Sequence, residues 1–270
     1  MERYGLVPIV AHYAEPVHLD DAKLHLRVEV TDDDALIRTL IVAARNHAEI
    51  FTGRALVTQT WDLKLDAYPS CIYVPKPPLQ SVSSITYTDD AGSSQTEATS
   101  IYTVDTANIV GRIFEAYGQT WSSTRGIPNA VTVRFVAGMA TPFTAAVTDT
   151  CTAQGRTFTN ADRYRVMNSG GALPAGLSRD TDYFIISASG STFSLSLTSG
   201  GAAVDITDTG SGTHFIAPEF GPFDAIRAAM KLMIGHWYEN RSEVEIGTIA
   251  THVPEAAKTL LWQNRVVEFV

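Results

Sequence analysis

Only two cysteines occur in the 270 residues, Cys71 and Cys151, and 80 positions separate them. That spacing excludes a Cys-x-x-Cys redox pair, a four-cysteine zinc site and a disulfide framework. No apolar run approaches the roughly 18 residues that a membrane helix needs. The first ten residues lack a basic-then-apolar leader, so the chain is expected to be made in the cytosol without a secretion signal. Cations are also sparse. The formal charge of −9 is spread as −5 over residues 1–142, −2 over 143–217 and −2 over 218–270. No segment is a basic patch, so the counterion release that dominates nucleic-acid affinity has no footprint. None of the five lysines follows a glycine, which removes the Walker-type phosphate loop. Gly-x-Gly-x-x-Gly, His-Glu-x-x-His and Gly-x-Ser-x-Gly are absent as well.

What is present is the composition of a folded protein, 45% hydrophobic and 18% charged, long enough for about two domains. A short helix is predicted over Leu19–Val28. A longer one follows Thr31, whose hydroxyl and the Asp32–Asp34 carboxylates suit a helix N-terminus. Leu36, Ile37, Leu40, Ile41, Ala44 and Phe51 then recur at helical spacing, with Arg38, Arg45 and Glu49 expected opposite, and Gly53 ends the helix. From Val57 the period becomes 2. Trp61, Leu63 and Leu65 alternate with polar residues, and 72–74, 85–87, 102–104, 109–114 and 131–135 read as further strands. Pro75-Lys-Pro-Pro78 and Asp89-Asp-Ala-Gly92 supply turns between them.

Residues 143–217 differ in kind. They contain neither lysine nor glutamate and are rich in Ser, Thr, Gly and Asp. Alternation at Tyr164/Val166, Tyr183–Ile186 and Phe193/Leu195/Leu197 predicts an all-β module. It interrupts a unit that resumes as a helix at Pro222. In that helix Phe223, Ile226, Met230, Ile234 and Trp237 share one face. The opposite face is Ala225, Ala228, Ala229, Leu232 and Gly235, with Asp224, Arg227 and Lys231 as a narrow stripe between. A helix apolar nearly all round is buried on both sides, which points to another subunit. A last helix runs from about Pro254 through Trp262, ahead of the apolar tail Arg265–Val270.

Candidate chemistry resolves into structural roles. His236 and Glu239 share a face in the spacing of bundle metal sites, but a His–Glu contact is the plainer reading. His18 and His25 lack a third ligand, and His47 fits a hydrogen-bonded core histidine. Asp32–Asp34 lack the alternation of a calcium loop. Asp205 and Asp208, before Gly210-Ser-Gly212, fit a hairpin turn better than a cation site. Asn240-Arg-Ser242 matches the glycosylation pattern but has no secretion signal to give it meaning. Trp61, Trp121, Trp237 and Trp262 have few basic neighbours and suit packing over base stacking. No catalytic, metal or cofactor-binding residue is assigned, and no membrane partner is expected.

Several stretches together resemble the head–tail connector (adaptor) family of long-tailed bacteriophages and prophages. They are Leu19-Asp-Asp-Ala-Lys-Leu-His-Leu-Arg27, Asp33-Asp-Ala-Leu-Ile37 and Phe51-Thr-Gly-Arg-Ala-Leu-Val-Thr-Gln-Thr-Trp61. Pro77-Pro-Leu-Gln-Ser-Val82, Ile127-Pro-Asn-Ala-Val-Thr-Val-Arg-Phe135 with Ala137-Gly138, and Gly235-His-Trp-Tyr-Glu-Asn-Arg241 continue the pattern. The chain departs from the family by inserting residues 143–217. That insert is similar to small β modules of phage structural proteins, through Gly170-Gly-Ala-Leu-Pro-Ala-Gly-Leu177, Asp182-Tyr-Phe184 and Gly200-Gly-Ala-Ala203.

The resemblance implies a structural virion protein and not an enzyme. Copies would form a ring, commonly of twelve, in the neck between head and tail. The ring would dock on the portal, receive the stopper or tail-completion protein and let DNA pass through its lumen without sequence-specific binding. The expected fold is α+β: helical terminal segments with a small antiparallel β unit at 1–142 plus 218–270, and an inserted all-β domain at 143–217. By position, protomer contacts are expected on Ala225, Ala228, Leu232 and Gly235, and portal contacts on Trp262, Arg265, Val267 and Phe269. The alternative is a binding module whose β domain recognises a carbohydrate or host surface. Exposed Tyr164, Tyr183 and Phe193 would favour it, and their burial would not.

Overall fold

The alternating patterns around Trp61 and Val133 become the central strands of a sheet in the computed structural model. The structure describes residues 4–10, 14–179, 181–218, 222–240, 244–245, 248–249 and 254–267. It divides into two units. One holds the described parts of Met1–His12, Val57–Met139 and Val266–Val270, the other those of Tyr13–Leu56 and Ala140–Arg265. With helices in one unit and antiparallel sheets in both, the fold is α+β.

The first unit contains β1 (Gly5–Val10), β2 (Gln59–Leu65), β3 (Ile72–Val74), β4 (Leu79–Thr88) and β5 (Ser94–Thr96). It continues with β6 (Tyr102–Asp105), β7 (Gly111–Glu115) and β8 (Val131–Ala137). One sheet runs β1-β2-β8-β4-β5 and a second runs β3-β7-β6. β1 and β5 had no sequence expectation: Gly5-Leu-Val-Pro-Ile-Val10 does not alternate, and Ser94-Gln-Thr96 is short and wholly polar. Along β8, Val131, Val133, Phe135 and Ala137 are buried while Arg134 is exposed, as a half-buried strand requires. Leu63 stands opposite Val133, and Asp62 opposite Arg134. The Arg134 guanidinium donates to both Asp62 oxygens, at 2.8 and 2.9 Å. Gly138, which ends β8, has φ +149°, and a methyl there would lie 2.6 Å from the Thr58 amide nitrogen. Glycine at the end of the Val-Arg-Phe strand therefore has a steric reason.

The second unit opens with α1 (Leu19–Leu26) and α2 (Asp34–Thr52). The His18 ring caps α1 by accepting from the Asp20 amide at 3.2 Å. α2 starts differently from expectation. Asp33 occupies the cap position without a side-chain cap, and Thr31 contributes its carbonyl, which accepts from the Asp34 amide. The aspartates bind tertiary partners instead: Asp33 accepts from the Tyr238 hydroxyl at 2.5 Å and Asp34 pairs with Lys23 at 2.7 Å. Gly53 ends α2 at φ +71°, its amide donating to the Glu49 carbonyl.

The expected polarity of α2 is corrected more deeply. Arg45 and Glu49 lie on its buried side. Arg45 donates to Glu15 at 2.8 Å and stands 3.6 Å from Glu49, whose other oxygen accepts from the Leu56 amide at 2.9 Å. Paired and hydrogen-bonded, these charges tolerate burial. Arg38 stays exposed, as expected, but its neighbours on that side are Ala35, Thr39, Val42, Ala43, Asn46 and Ile50.

A closed six-stranded barrel follows, from β9 (Thr141–Ala145), β10 (Cys151–Thr152), β11 (Arg163–Ser169), β12 (Asp182–Ser189), β13 (Thr192–Ser196) and β14 (Thr213–Pro218). Phe143, Phe158, Tyr164, Tyr183, Phe193 and Ile216 help fill it, with Phe158 and Phe193 at 4.2 Å between centroids. Closure leaves no sheet edge to pair elsewhere. The alternation expected to reach Leu197 stops one residue earlier: Ser196 is buried and Leu197 is 61% exposed. The chain continues through α3 (Pro222–Glu239), the short pair β15 (Val244–Glu245) and β16 (Thr248–Ile249), and α4 (Glu255–Gln263).

The Asp62–Arg134 pair gives a pH-dependent test. The guanidinium hydrogen bonds hold the Asp62 carboxyl below its ordinary value, against the opposing effect of burial. A depressed folded pKa stabilises the fold above the unfolded value of about 4, and that contribution is lost as pH falls through the folded pKa. Asp62→Asn should therefore cost about 1–2 kcal/mol near neutral pH, Arg134 being partly exposed. Urea unfolding should show the gap to wild type closing below about pH 4. A gap constant down to pH 3 would refute this account.

Candidate assembly surfaces

α3 owes its position to a buried cation. Phe223, Ile226, Ala229, Met230, Met233 and Ile234 form its inward side, and Arg227 lies among them at 6% exposure. The sequence pattern places Arg227 in a narrow charged stripe between two apolar faces, whereas the structure buries it. Its Nε–H donates to the Pro16 carbonyl at 2.8 Å, and its terminal nitrogens reach Asp21 at 3.4 Å and Asp224 at 3.5 Å. Arg179, on the loop before β12, meets Asp20 and Asp21 at 3.3 and 3.6 Å. Arg165 of β11 joins Asp182 at 2.6 Å and Asp224 at 3.4 Å. This lattice of three arginines ties α1, α3 and the barrel together. The available signal was a lone arginine in a helix otherwise apolar on that side.

The four α3 residues expected at a protomer contact are not equivalent. Ala228 is exposed, and Ala225 and Leu232 are half-buried. Gly235 faces α1 in its own chain, where a methyl would sit 3.3 Å from His25 Nε2. The glycine lets the two helices approach. Trp237 is only half-buried, edge-on to the His47 ring at 6.4 Å. His236 is engaged by the Asn240 amide at 3.2 Å, and Glu239 beside it is exposed.

α4 anchors through Ala257 and Leu261 and through Arg54, which donates to the Asn264 carbonyl at 2.8 Å. Trp262 is 62% exposed. Its ring meets Phe51 at 6.2 Å, and the Arg265 guanidinium lies 5.5 Å from it and 6.0 Å from Phe51. Two of the expected portal residues thus share one aromatic–cation cluster. Val267 is 61% exposed and belongs to the other unit, and Phe269 lies outside the described residues.

The barrel gives no support to the glycan-binding alternative. Tyr164, Tyr183 and Phe193 are 6%, 1% and 1% exposed, so none offers a ring to a sugar. The Tyr183 hydroxyl accepts from the Ser178 amide. Asp208, half of the calcium-loop candidate, accepts from the Ala175 and Gly210 amides and serves as a loop staple. Asn168 donates to the Ser211 carbonyl and contacts His214 Nδ1, fixing the adjoining loop. Burial pushes the Cys151 thiol up to about 12 and raises that of Cys71, away from nucleophilic thiolates.

Residues 16–115 match the model of the family described as phage gp6-like head-tail connector protein. Three solved structures are similar in fold over nearly the whole chain. The virion of a native gene transfer agent particle contains one, at TM-score 0.54 and 16% identity, covering 98% of this chain and 97% of that one. The neck of the empty particle computed with C6 symmetry gives 0.52 and 15%, at the same coverage. The neck of the native particle computed with C12 symmetry gives 0.51 and 17%, covering 99% and 97%. No curated protein matches the chain.

The Arg227 lattice makes a stability prediction. Arg227→Met should lower unfolding stability by about 3–5 kcal/mol, because Asp21 and the Pro16 carbonyl lose their buried donor. Thermal unfolding of Arg227→Lys should fall between the two, since an ammonium cannot reproduce the fork. A melting temperature unchanged in Arg227→Met would remove the lattice as a fold determinant.

Proposed function

We propose that this chain, which carries the gp6-like head–tail connector pattern over residues 16–115, is a ring-forming structural connector of a virion neck. The observation that carries the reading is that family match, joined by likeness of fold over 98% of the chain to components of gene transfer agent particles. In this reading copies encircle a channel, commonly as twelve. One side of the ring docks on the portal, and the other receives the stopper or tail-completion protein. DNA crosses the lumen without being gripped. The net charge of −9 and the lack of a basic patch suit a wall along which a polyanion slides.

The two assembly surfaces keep distinct roles. Ala225, Ala228 and Leu232 are assigned to the neighbouring protomer, whereas Gly235 serves the contact with α1 of its own chain. Trp262 and Arg265, with Val267 and Phe269 of the tail, are assigned to the portal. Rigid aromatics beside an arginine are the side chains that most often dominate interface energies. Residues 143–217 are assigned as an inserted domain that adds bulk to the ring without changing its contacts, as insertions at exposed connections are tolerated.

Solution mass by light scattering, alone and with the portal, tests the assembly. A closed ring, or a monomer that joins the portal at fixed high stoichiometry, is expected. A chain indifferent to the portal and to itself would overturn the reading. Leu232→Asp should lower the assembled fraction at least tenfold, about 1.4 kcal/mol per contact, while the monomer keeps its cooperative melt. Deleting Arg265–Val270 should spare the ring and abolish portal binding. Unchanged portal binding by that deletion would overturn the tail's assignment.

A further inference from the structure

We infer that the outward face of α2 is the other half of the protomer contact, the surface on which a second copy of this chain seats its α3. The inference rests on the ring reading and names the surface that reading leaves unassigned.

The observation is an inversion of polarity. α2 spends its charges inward, on Arg45 with Glu15 and Glu49. Outward, Val42 is 38% exposed and Ile50 is 78% exposed. Between and beside them stand Ala35, Thr39, Ala43 and Asn46, all exposed and uncharged. The Thr39 hydroxyl donates its hydrogen to the Ala35 carbonyl at 3.0 Å, which leaves only its lone pairs to water. Arg38 is the single charge among the exposed residues of the helix. A five-turn surface helix ordinarily carries its charges on the water side. Here two ionic side chains lie inside and two branched apolar ones lie outside.

Three arguments select a second copy as the occupant. A closed ring needs a head-to-tail contact, built from two different patches of the same chain. α2 and α3 pack on each other in one unit, through Tyr238 to Asp33 and Trp237 to His47, so the sides turned away from that contact are available to two different neighbours. The shapes also match. α2 offers the exposed side chains of Val42 and Ile50, two turns apart, and α3 offers the small side chains of half-buried Ala225 and exposed Ala228 beside half-buried Leu232. Ridges of larger side chains seat in grooves made by small ones. Charge makes the third argument. Two copies each carrying −9 repel over most of their surfaces, and the outward side of α2, whose exposed residues include one cation, Arg38, and no carboxylate, opposes a second acidic copy least.

Paired cysteines test the contact. Val42→Cys and Ala228→Cys are placed together on the full-length chain with Cys71 and Cys151 changed to Ser and Ala. The chain is treated with a short bis-maleimide in the assembled state, alone or on the portal. The expected product is a ladder of covalent multimers rising to the ring. Val42→Cys alone and Ala228→Cys alone should give no ladder. Dimers from Val42→Cys alone would mean that α2 meets α2, which overturns the inference. An assembled chain whose double variant gives only monomers overturns it too, while the ring reading stands. If the parent chain assembles neither alone nor on the portal, the ring reading itself fails. Ile50→Asp provides a second measurement: the assembled fraction should fall at least tenfold with the melting temperature unchanged. Assembly at the parent level in Ile50→Asp would also overturn the inference.

Discussion

Two buried guanidinium groups organise the helical part of this protein. Arg227 joins α3 to the segment before α1 and to Asp21 within it, and Arg45 joins α2 to Glu15. A buried ion pair is a weak source of net stability, because desolvation offsets most of the attraction. Its value is geometric. A planar fork satisfied on several sides accepts few alternative packings, and both forks converge on residues 15–21. That segment is consequently held from α2 and from α3 at once, and Arg179 adds a tie from the barrel loop.

Turning Arg45, Glu49 and Arg227 inward leaves apolar residues on the outer sides of α2 and α3. A monomeric protein would gain solubility from the opposite arrangement. Here Val42, Ile50, Ala228 and Trp262 are left to water, and the acidic residues that could have covered them are engaged in pairing arginines. The barrel behaves differently. All four of its cations are arginines, and each is tied down. Arg156 lies over Phe158 and Tyr164, Arg163 over Phe184, and Arg165 and Arg179 reach the helical aspartates. A lysine would supply charge without the flat face or the fork, which gives a physical reason for the segment's lack of lysine.

Elements governed by local pattern were legible in the sequence. The period-2 strands at 59–65 and 131–137, the glycine stop of α2 and the β character of 143–217 follow from side-chain alternation and turn chemistry alone. Errors arose where a distant partner decides the outcome. Arg45, Glu49 and Arg227 read as surface charges because Glu15 and Asp21 lie 30 and 206 positions away from Arg45 and Arg227. Asp33 and Asp34 read as caps because Tyr238 and Lys23 are invisible to a local window. β1 was missed because its strand character comes from pairing with β2 and not from its own residues. The candidate surfaces were half legible: the small-residue face of α3 is a pattern, whereas the outward face of α2 appears only once its charges are found inside.

That asymmetry bears on how a connector can be built. Residues that specify the subunit's interior must be satisfied within the chain, so they are arginine–carboxylate pairs with partners in the same chain. Residues that specify assembly must remain unsatisfied until a neighbour arrives, and apolar side chains bear that wait at lower cost than unpaired charges, which would need desolvation at each joint. In the proposed ring, many weak apolar joints would also suit a part assembled once, since the last joint adds two contacts for one further loss of subunit freedom. Placing the Arg45 and Arg227 pairs inside and Val42, Ile50 and Ala228 outside is thus coherent with the ring proposed for this chain.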